Sequence, residues 1–394
     1  MPFTARAIRT DAVENAVRAV PRHLFAPEAS LVRAYAPEDA VITKRDENGV
    51  ALSSVSAARI QAFMLEQAEV RPGMRVLEIG SGDYNAALIA ELVGEDGQVT
   101  SIDIDPEVIG RARRLLDEAG YERVTTLVAD GELGAPEQSP FDRIIVAVGA
   151  WDIPPAWFEQ LTDEGRIVVP LRVRGLTRSV AFERNGDHLV SRDYELCGFV
   201  PMQGAGENRV QLVLLHTEKE EEEEEVGLRR WSAGGRGPAA RRPGSAPGRG
   251  VVRGHRWRHE ALRRPRSVAG DTPAGPPLLT GTVAARDRGL VASASPLGVS
   301  TLVDGASFAY RTVRPTNPER ALFEFGAYGH GPDAQKAAER LIEEIQTWDR
   351  DQRSHHARYQ AHPVGTPGAH LAVDRVIDKR HTRVTISWPT RQQS

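Results

Sequence analysis

One short stretch carries residue types and spacing that could do chemistry. Val76-Leu-Glu-Ile-Gly-Ser-Gly-Asp83 reads as a buried strand that ends in Gly80-Ser81-Gly82 and passes into a helix starting near Asn85. Glycines at such a turn let the backbone approach a ligand closely at a helix N-terminus. The dinucleotide fingerprint needs a further glycine three residues after Gly82, and Asn85 stands there instead. Glu78, two residues before Gly80, would repel a pyrophosphate but suits a cationic ligand with an ammonium group. Asp103 lies 23 residues after Gly80, at the end of the next strand, where a carboxylate can accept both ribose hydroxyls. Alone, Asp103 reads as a solvated strand-end acid; beside Glu78 and the glycines the ribose reading is favoured. Asp130-Gly131, at the end of a third strand, adds an acid within reach of an adenine amino group. Together these residues fit S-adenosylmethionine better than NAD.

The elements that must position them are legible as an alternation. Apolar, β-rich runs at 75–79, 98–104, 124–128, 142–148 and 166–170 are separated by helical patterns at 85–93, 106–119 and 155–161. Such alternation predicts βαβ units and a doubly wound, mostly parallel α/β sheet of Rossmann-like type, buried on both faces. Runs at 179–184, 188–194 and 210–216 are expected to finish that sheet, giving a first domain over residues 1–217.

With 394 residues the chain is long for one ordinary domain and suggests roughly two. Its single cysteine, Cys197, excludes an intramolecular disulfide framework and a cysteine-built zinc site, and fits a reducing cytoplasm. No stretch reaches the ~18 apolar residues of a membrane span, and the first twenty residues lack a secretory hydrophobic region. The net charge of −4 hides an asymmetry: residues 227–270 hold twelve arginines and one acid, Glu260, so the remainder is strongly acidic.

At Glu218 the composition changes, first to a glutamate run and then to a segment rich in Arg, Gly, Pro and Ala that extends to about residue 289. A disordered, solvated linker is the default reading of such a composition. Its arginines would also suit an acidic partner, and a shifted frame of GC-rich coding DNA would yield the same residues. Residues 290–394 read as a small α+β region. Strands are expected at 299–303, 307–313, 321–326 and 383–388, with an amphipathic helix at 333–349 whose apolar face holds Ala337, Leu341, Ile345 and Trp348. His355 and His356 lack the nearby Cys or helical His/Glu support of a metal site, and no metal is expected.

Several blocks in order along the first 200 residues resemble the protein-L-isoaspartate O-methyltransferase family, a branch of the class I S-adenosylmethionine-dependent methyltransferases. Val20-Pro-Arg-His-Leu-Phe25 is followed by Ala34-Tyr35, and Pro72-Gly73 leads into the Val76–Gly82 loop. Asp130-Gly131, Pro140-Phe-Asp-Arg-Ile-Ile145, Ile153-Pro154, Gln160-Leu161, Gly165-Arg166 and Pro170 follow in register. The resemblance implies cofactor contacts from Glu78, Gly80, Ser81, Gly82, Asp103, Asp130 and Gly131. It also implies that Ser56, in Ser54-Val-Ser-Ala-Ala58, sits near a substrate carboxylate; a helix N-cap is the plainer role for that serine. Ala58 replaces the family's proline, Tyr84 stands where its cofactor loop usually has a third glycine, and Asp83 replaces a small residue. With the C-terminal extension, these departures resemble the divergent FxLD-type subgroup associated with lanthipeptide biosynthesis.

The implied reaction is methylation of an isoaspartyl or aspartyl carboxylate of a protein or peptide, leading to a succinimide. Two rivals stand beside it. A cofactor-binding scaffold without catalysis would account for Tyr84 and Ala58. An N-methyltransferase on nucleic acid would use Asp152-Ile-Pro-Pro155, although Ile153 and Ala156 break the Asn/Asp-Pro-Pro-aromatic pattern.

Overall fold

In the computed structural model the described residues are 7–47, 49–80, 83–173, 176–208, 210–218, 224–231, 250–258, 278–281, 299–315, 322–351, 356–371 and 375–388. They fall into two units. The first comprises residues 1–172, 177–208 and 358–387, and the second residues 173–176, 209–357 and 388–394.

The first unit opens with helices α1 (Asp11–Ala19) and α2 (Leu31–Ala34), a hairpin of β1 (Val41–Arg45) and β2 (Ala51–Val55), and helix α3 (Ala58–Ala68). The alternating part follows: β3 (Arg75–Ile79), α4 (Asp83–Val93), β4 (Gln98–Asp103), α5 (Pro106–Glu118), β5 (Thr125–Val128), β6 (Phe141–Val146), α6 (Pro155–Glu159) and β7 (Leu161–Val173). Local sequence explains the boundaries. Asp105 caps α5 by accepting the Glu107 amide at 2.9 Å, and Pro106 takes the first helical position, where no donor is needed.

Strands β7, β6, β3, β4 and β5 lie side by side in that order, with parallel pairing throughout. The chain runs outward from β3 to β5 and then returns to β6 on the other side of β3. The crevice beyond the C-terminal ends of β3 and β6 is thus the topological switch point, where ligands bind in open α/β sheets. Val76, Val99, Ile145 and Val168 join a core with α1, α3 and α4, while their neighbours Leu77, Ile102, Ile144 and Ile167 are equally buried. Burial of adjacent strand residues means both faces are covered, as the continuous apolar runs require.

The sheet continues through β8 (Leu176–Asn185) and β9 (His188–Leu196). Its next strand is not 210–216, as the sequence suggested, but β17 (Arg358–Pro363), followed by β19 (Thr382–Ser387) and then β18 (Arg375–Asp378). Residues expected within a separate C-terminal region therefore extend the first sheet.

The second unit holds β10 (Val210–Glu218), β11 (Glu224–Trp231), β12 (Gly250–Arg258), β13 (Leu278–Gly281), β14 (Val299–Asp304), β15 (Ser307–Pro315), β16 (Leu322–His330) and helix α7 (Ala334–Asp351). Its sheet has the order β10-β11-β13-β14-β15-β16-β12. Strands β11, β12 and β13 fall inside the Glu- and Arg-rich segment read as a linker; the rest of that segment lies outside the described residues. The apolar face of α7, with Ala337, Leu341 and Ile345, packs on Leu302, Ala309 and Phe325, as its spacing predicted. Gly329 permits the close approach, because a Cβ there would stand 1.8 Å from the Ala334 carbonyl oxygen. Among the described residues no helix is long and apolar enough to cross a membrane.

Candidate active site

A cleft open to solvent lies at the switch point. Gly80, Asn85 and Asp103 line one part of it, and Ile145, Ala147 and Val148, at the end of β6, another. Leu52–Ser54 of the hairpin, Ser56, Gln61, Met64, Phe199 and Val200 complete it.

Gly80 has a reason to be glycine. Its φ is +88°, and a Cβ would lie 2.6 Å from Val148 Cγ1. The strand end thus turns away from the sheet with its backbone exposed to the cleft. Ser81 and Gly82 lie outside the described residues. Asp103 sits at the end of β4, as expected, and its carboxylate also accepts the Asp105 amide at 2.9 Å.

Glu78, expected to contact a ligand, is not among the cleft's lining residues. It is fully buried, one carboxylate oxygen accepting from Asn85 Nδ2 at 2.8 Å and the other from Ser101 Oγ at 2.5 Å. Burial pushes its carboxyl up to about 8, against the opposing effect of those two donors. Through Asn85, which lines the cleft, Glu78 reaches it indirectly. The residue that broke the glycine fingerprint is thus itself a lining residue.

Asp130 and Gly131 are not among the cleft's lining residues. The Asp130 carboxylate accepts the Glu132 amide at 2.9 Å and the Ala205 amide at 2.8 Å, tying the turn Gly204–Gly206 to the end of β5. The Gly131 carbonyl accepts from Trp157 Nε1 at 2.7 Å. Asp83, the extra acid, is also turned away from the cleft and pairs with Arg111, which in turn binds Glu28 at 2.9 Å. Burial raises the Asp83 carboxyl to about 6, with Arg111 opposing.

Ser56 lines the cleft and does not cap α3; Ala57 occupies the cap position without a side-chain bond. Its loop is held from behind by Arg22. That buried guanidinium donates to the Ala34 carbonyl at 2.6 Å, to Gln61 Oε1 at 2.8 Å and to the Ser56 carbonyl at 2.7 Å. Tyr84 packs on Phe25 with ring centroids 5.8 Å apart. It is buried beneath the N-terminal segment and is not a lining residue. The block Val20-Pro-Arg-His-Leu-Phe25 carries the family resemblance, but nothing in its spacing announces these contacts.

A second support went unread. Lys44 of β1 donates to Asp105 Oδ2 at 2.6 Å and also binds Glu107, latching the hairpin across the β4–α5 turn. Asp105 follows Asp103 by two residues, so the latch stands directly behind the strand-end acid.

A Rossmann-like methyltransferase, the class whose methyl donor is S-adenosylmethionine, is what this sheet order and switch-point cleft define. The chain belongs to the protein-L-isoaspartate (D-aspartate) O-methyltransferase family, whose sequence model matches residues 3–207. It is 38% identical over 200 residues to a protein-L-isoaspartate O-methyltransferase of Methanopyrus kandleri, covering 50% of this chain and 85% of that one. A relative of the same name in Ignicoccus hospitalis is 42% identical over 165 residues, covering 42% of this chain and 75% of the relative. A solved protein-L-isoaspartate O-methyltransferase structure aligns at 30% identity and a TM-score of 0.46, over 52% of this chain and 69% of its own.

The residues present suit the donor. A Cβ on Gly80 would meet Val148 Cγ1, so only glycine lets the ends of β3 and β6 come together at the cleft's edge. Asp103 brings a carboxylate to the cleft, and Ile145 and Val148 are apolar lining residues beside it.

Proposed function

We propose that this enzyme methylates the free carboxylate of an isoaspartyl residue (its α-carboxylate) or of an aspartyl residue (its side chain) in a protein or peptide, in the cytoplasm. The observation that carries the reading is Ser56 and Asp103 lining one cleft with Gly80. Bound S-adenosylmethionine would supply an electrophilic sulfonium methyl. Gly80 makes room for it, Asp103 would accept the ribose hydroxyls, and Asn85, held by Glu78, would offer an amide near the amino-acid end. Asp130 and Gly131 would act on the adenine side indirectly, by holding the 204–206 turn.

The Ser56 hydroxyl would donate to the acceptor carboxylate and hold it in line with the methyl. A carboxylate is ionised at neutral pH, so positioning rather than proton abstraction is what the chain must provide. Arg22 keeps the Ser56 loop at a set height by gripping its carbonyl. In the ester product, attack by the following backbone nitrogen forms a C–N bond, and methanol leaves with the amide proton. A succinimide results.

The rivals find less support. Tyr84 packs beneath the N-terminal segment, so its replacement of a glycine does not fill the cleft. The Asp152 carboxylate is occupied by the His381 amide at 2.6 Å and the Thr382 hydroxyl at 2.5 Å, which removes it as an anchor for a nucleobase amino group.

The test is methyl transfer from labelled S-adenosylmethionine to an isoaspartyl peptide and to its aspartyl twin. Transfer to the isoaspartyl form alone identifies a repair enzyme, and transfer to the aspartyl form identifies peptide tailoring of the lanthipeptide-associated kind. Ser56→Ala should lower turnover at least tenfold, roughly the worth of a charge-assisted hydrogen bond, with donor affinity retained. Unaltered turnover would remove Ser56 from the mechanism.

A further inference from the structure

The family match ends at residue 207, yet a turn near residue 380 reaches the wall of the cleft. The turn joins β18 to β19 and is closed by the Lys379 amide donating to the Thr382 carbonyl at 2.8 Å. Each of its four residues binds one of two loops. The buried Lys379 amine donates to the Trp151 carbonyl and to the Arg172 carbonyl, the latter at 2.7 Å, and lies 4.7 Å from the centre of the Trp151 ring. The His381 amide and the Thr382 hydroxyl take both oxygens of Asp152. Arg380 donates to the Ala205 carbonyl at 3.0 Å, and His381 Nε2 meets Glu132 Oε1 at 2.7 Å.

The two loops gripped this way are bonded to each other. The Gly149 amide donates to the Val200 carbonyl at 2.7 Å, and the Met202 amide to the Gly149 carbonyl at 3.0 Å. They also supply Val148, Phe199 and Val200 to the cleft. Asp152 and Lys379 are both buried, so their partners cannot be exchanged for water.

We propose that the Lys379–Thr382 turn is a positioning clamp that sets the Val148–Phe199–Val200 wall and thereby the fit of the methyl acceptor. The inference rests on the proposed carboxyl methylation for its effect on acceptor binding, but not for the clamp itself. The clamp acts through the two loops; none of its residues lines the cleft. In this chain part of the acceptor specificity is therefore encoded about 170 residues beyond the family's own segment, a separation that only the fold brings to nothing.

The full-length protein carrying Arg380→Ala, His381→Ala or Thr382→Val is examined by amide hydrogen exchange and by steady-state kinetics with the isoaspartyl peptide. Arg380 is exposed, so its variant folds even if the others are impaired. The clamp predicts faster exchange over 149–153 and 199–206. It also predicts a rise in acceptor KM of about fivefold per lost hydrogen bond, with unchanged affinity for S-adenosylmethionine. His381→Gln, which keeps a donor for Glu132, should restore most of the loss. Unchanged exchange in all three variants overturns the clamp whether or not the protein methylates the peptide. Faster exchange with an unmoved acceptor KM, or an equal loss of donor affinity, overturns its role in acceptor fit. Absence of methyl transfer in the unaltered protein counts against the proposed function, and the exchange result then decides the clamp alone.

Discussion

The guanidinium of Arg22 lies 4.9 Å above the ring of Tyr84, and the same group donates to three acceptors on separate segments. Tyr84 is thus a platform for the arginine that carries the Ser56 loop. Arg22→Met should leave the Ala34 and Ser56 carbonyls and Gln61 Oε1 buried without a donor and cost about 3 kcal/mol. Tyr84→Gly, which restores the family's usual residue, should destabilise by about 3–5 kcal/mol instead of improving the enzyme. Urea unfolding checks both.

Gly80→Ala meets two obstacles, a positive φ and Val148 Cγ1 within 2.6 Å of the new Cβ. The strand end must shift toward the cleft. Affinity for S-adenosylmethionine should fall at least tenfold, about 1.4 kcal/mol, as read by calorimetric titration. Equal affinity would show that the close approach has no part in binding.

Glu78 makes stability depend on pH. Its folded-state value of about 8 lies above its unfolded value near 4.5, so between them the folded protein binds more protons than the unfolded chain. Stability falls as pH rises through that window, by up to about 1.4 kcal/mol per unit for this group. Asp83, raised to about 6, adds to the same slope at the acid end. Glu78→Gln should flatten the decline between about pH 5 and pH 8 in thermal unfolding of the ligand-free protein, and a slope unaltered by the substitution would contradict the assignment.

Lys44→Ala releases the hairpin from Asp105 and Glu107. With Leu52–Ser54 of that hairpin lining the cleft, the donor should dissociate several-fold faster. These charges are partly exposed, so raising salt should mimic the substitution in the unaltered protein and have little effect in the variant. Stopped-flow release of the cofactor measures both.

The parallel strands were legible because each carries a short apolar, β-branched-rich run between helical patterns, and the cofactor loop because glycine between strand and helix has few other uses. Glu78, Asp130 and the β1–β2 hairpin show where such reading stops. Residue type and the family resemblance marked Glu78 and Asp130 as cofactor contacts, whereas in the fold Asn85 and Ser101 bind Glu78 and a backbone amide 75 residues away takes Asp130. The hairpin is largely polar, with Thr43, Ser53 and Ser54, and lacks the alternation that announces a strand. The place of β17 beside β9 depends on a partner as distant as Ser191, whose hydroxyl accepts the Tyr359 amide across 168 residues at 2.8 Å.

That distant pairing has a consequence for any protein cut once between residues 209 and 357. The two pieces share antiparallel pairs from β9 to β17, and the buried contacts of Lys379 and Thr382 with residues 151–172. They should elute as one complex and separate only in denaturant, so fragment complementation could rebuild the enzyme from halves expressed apart.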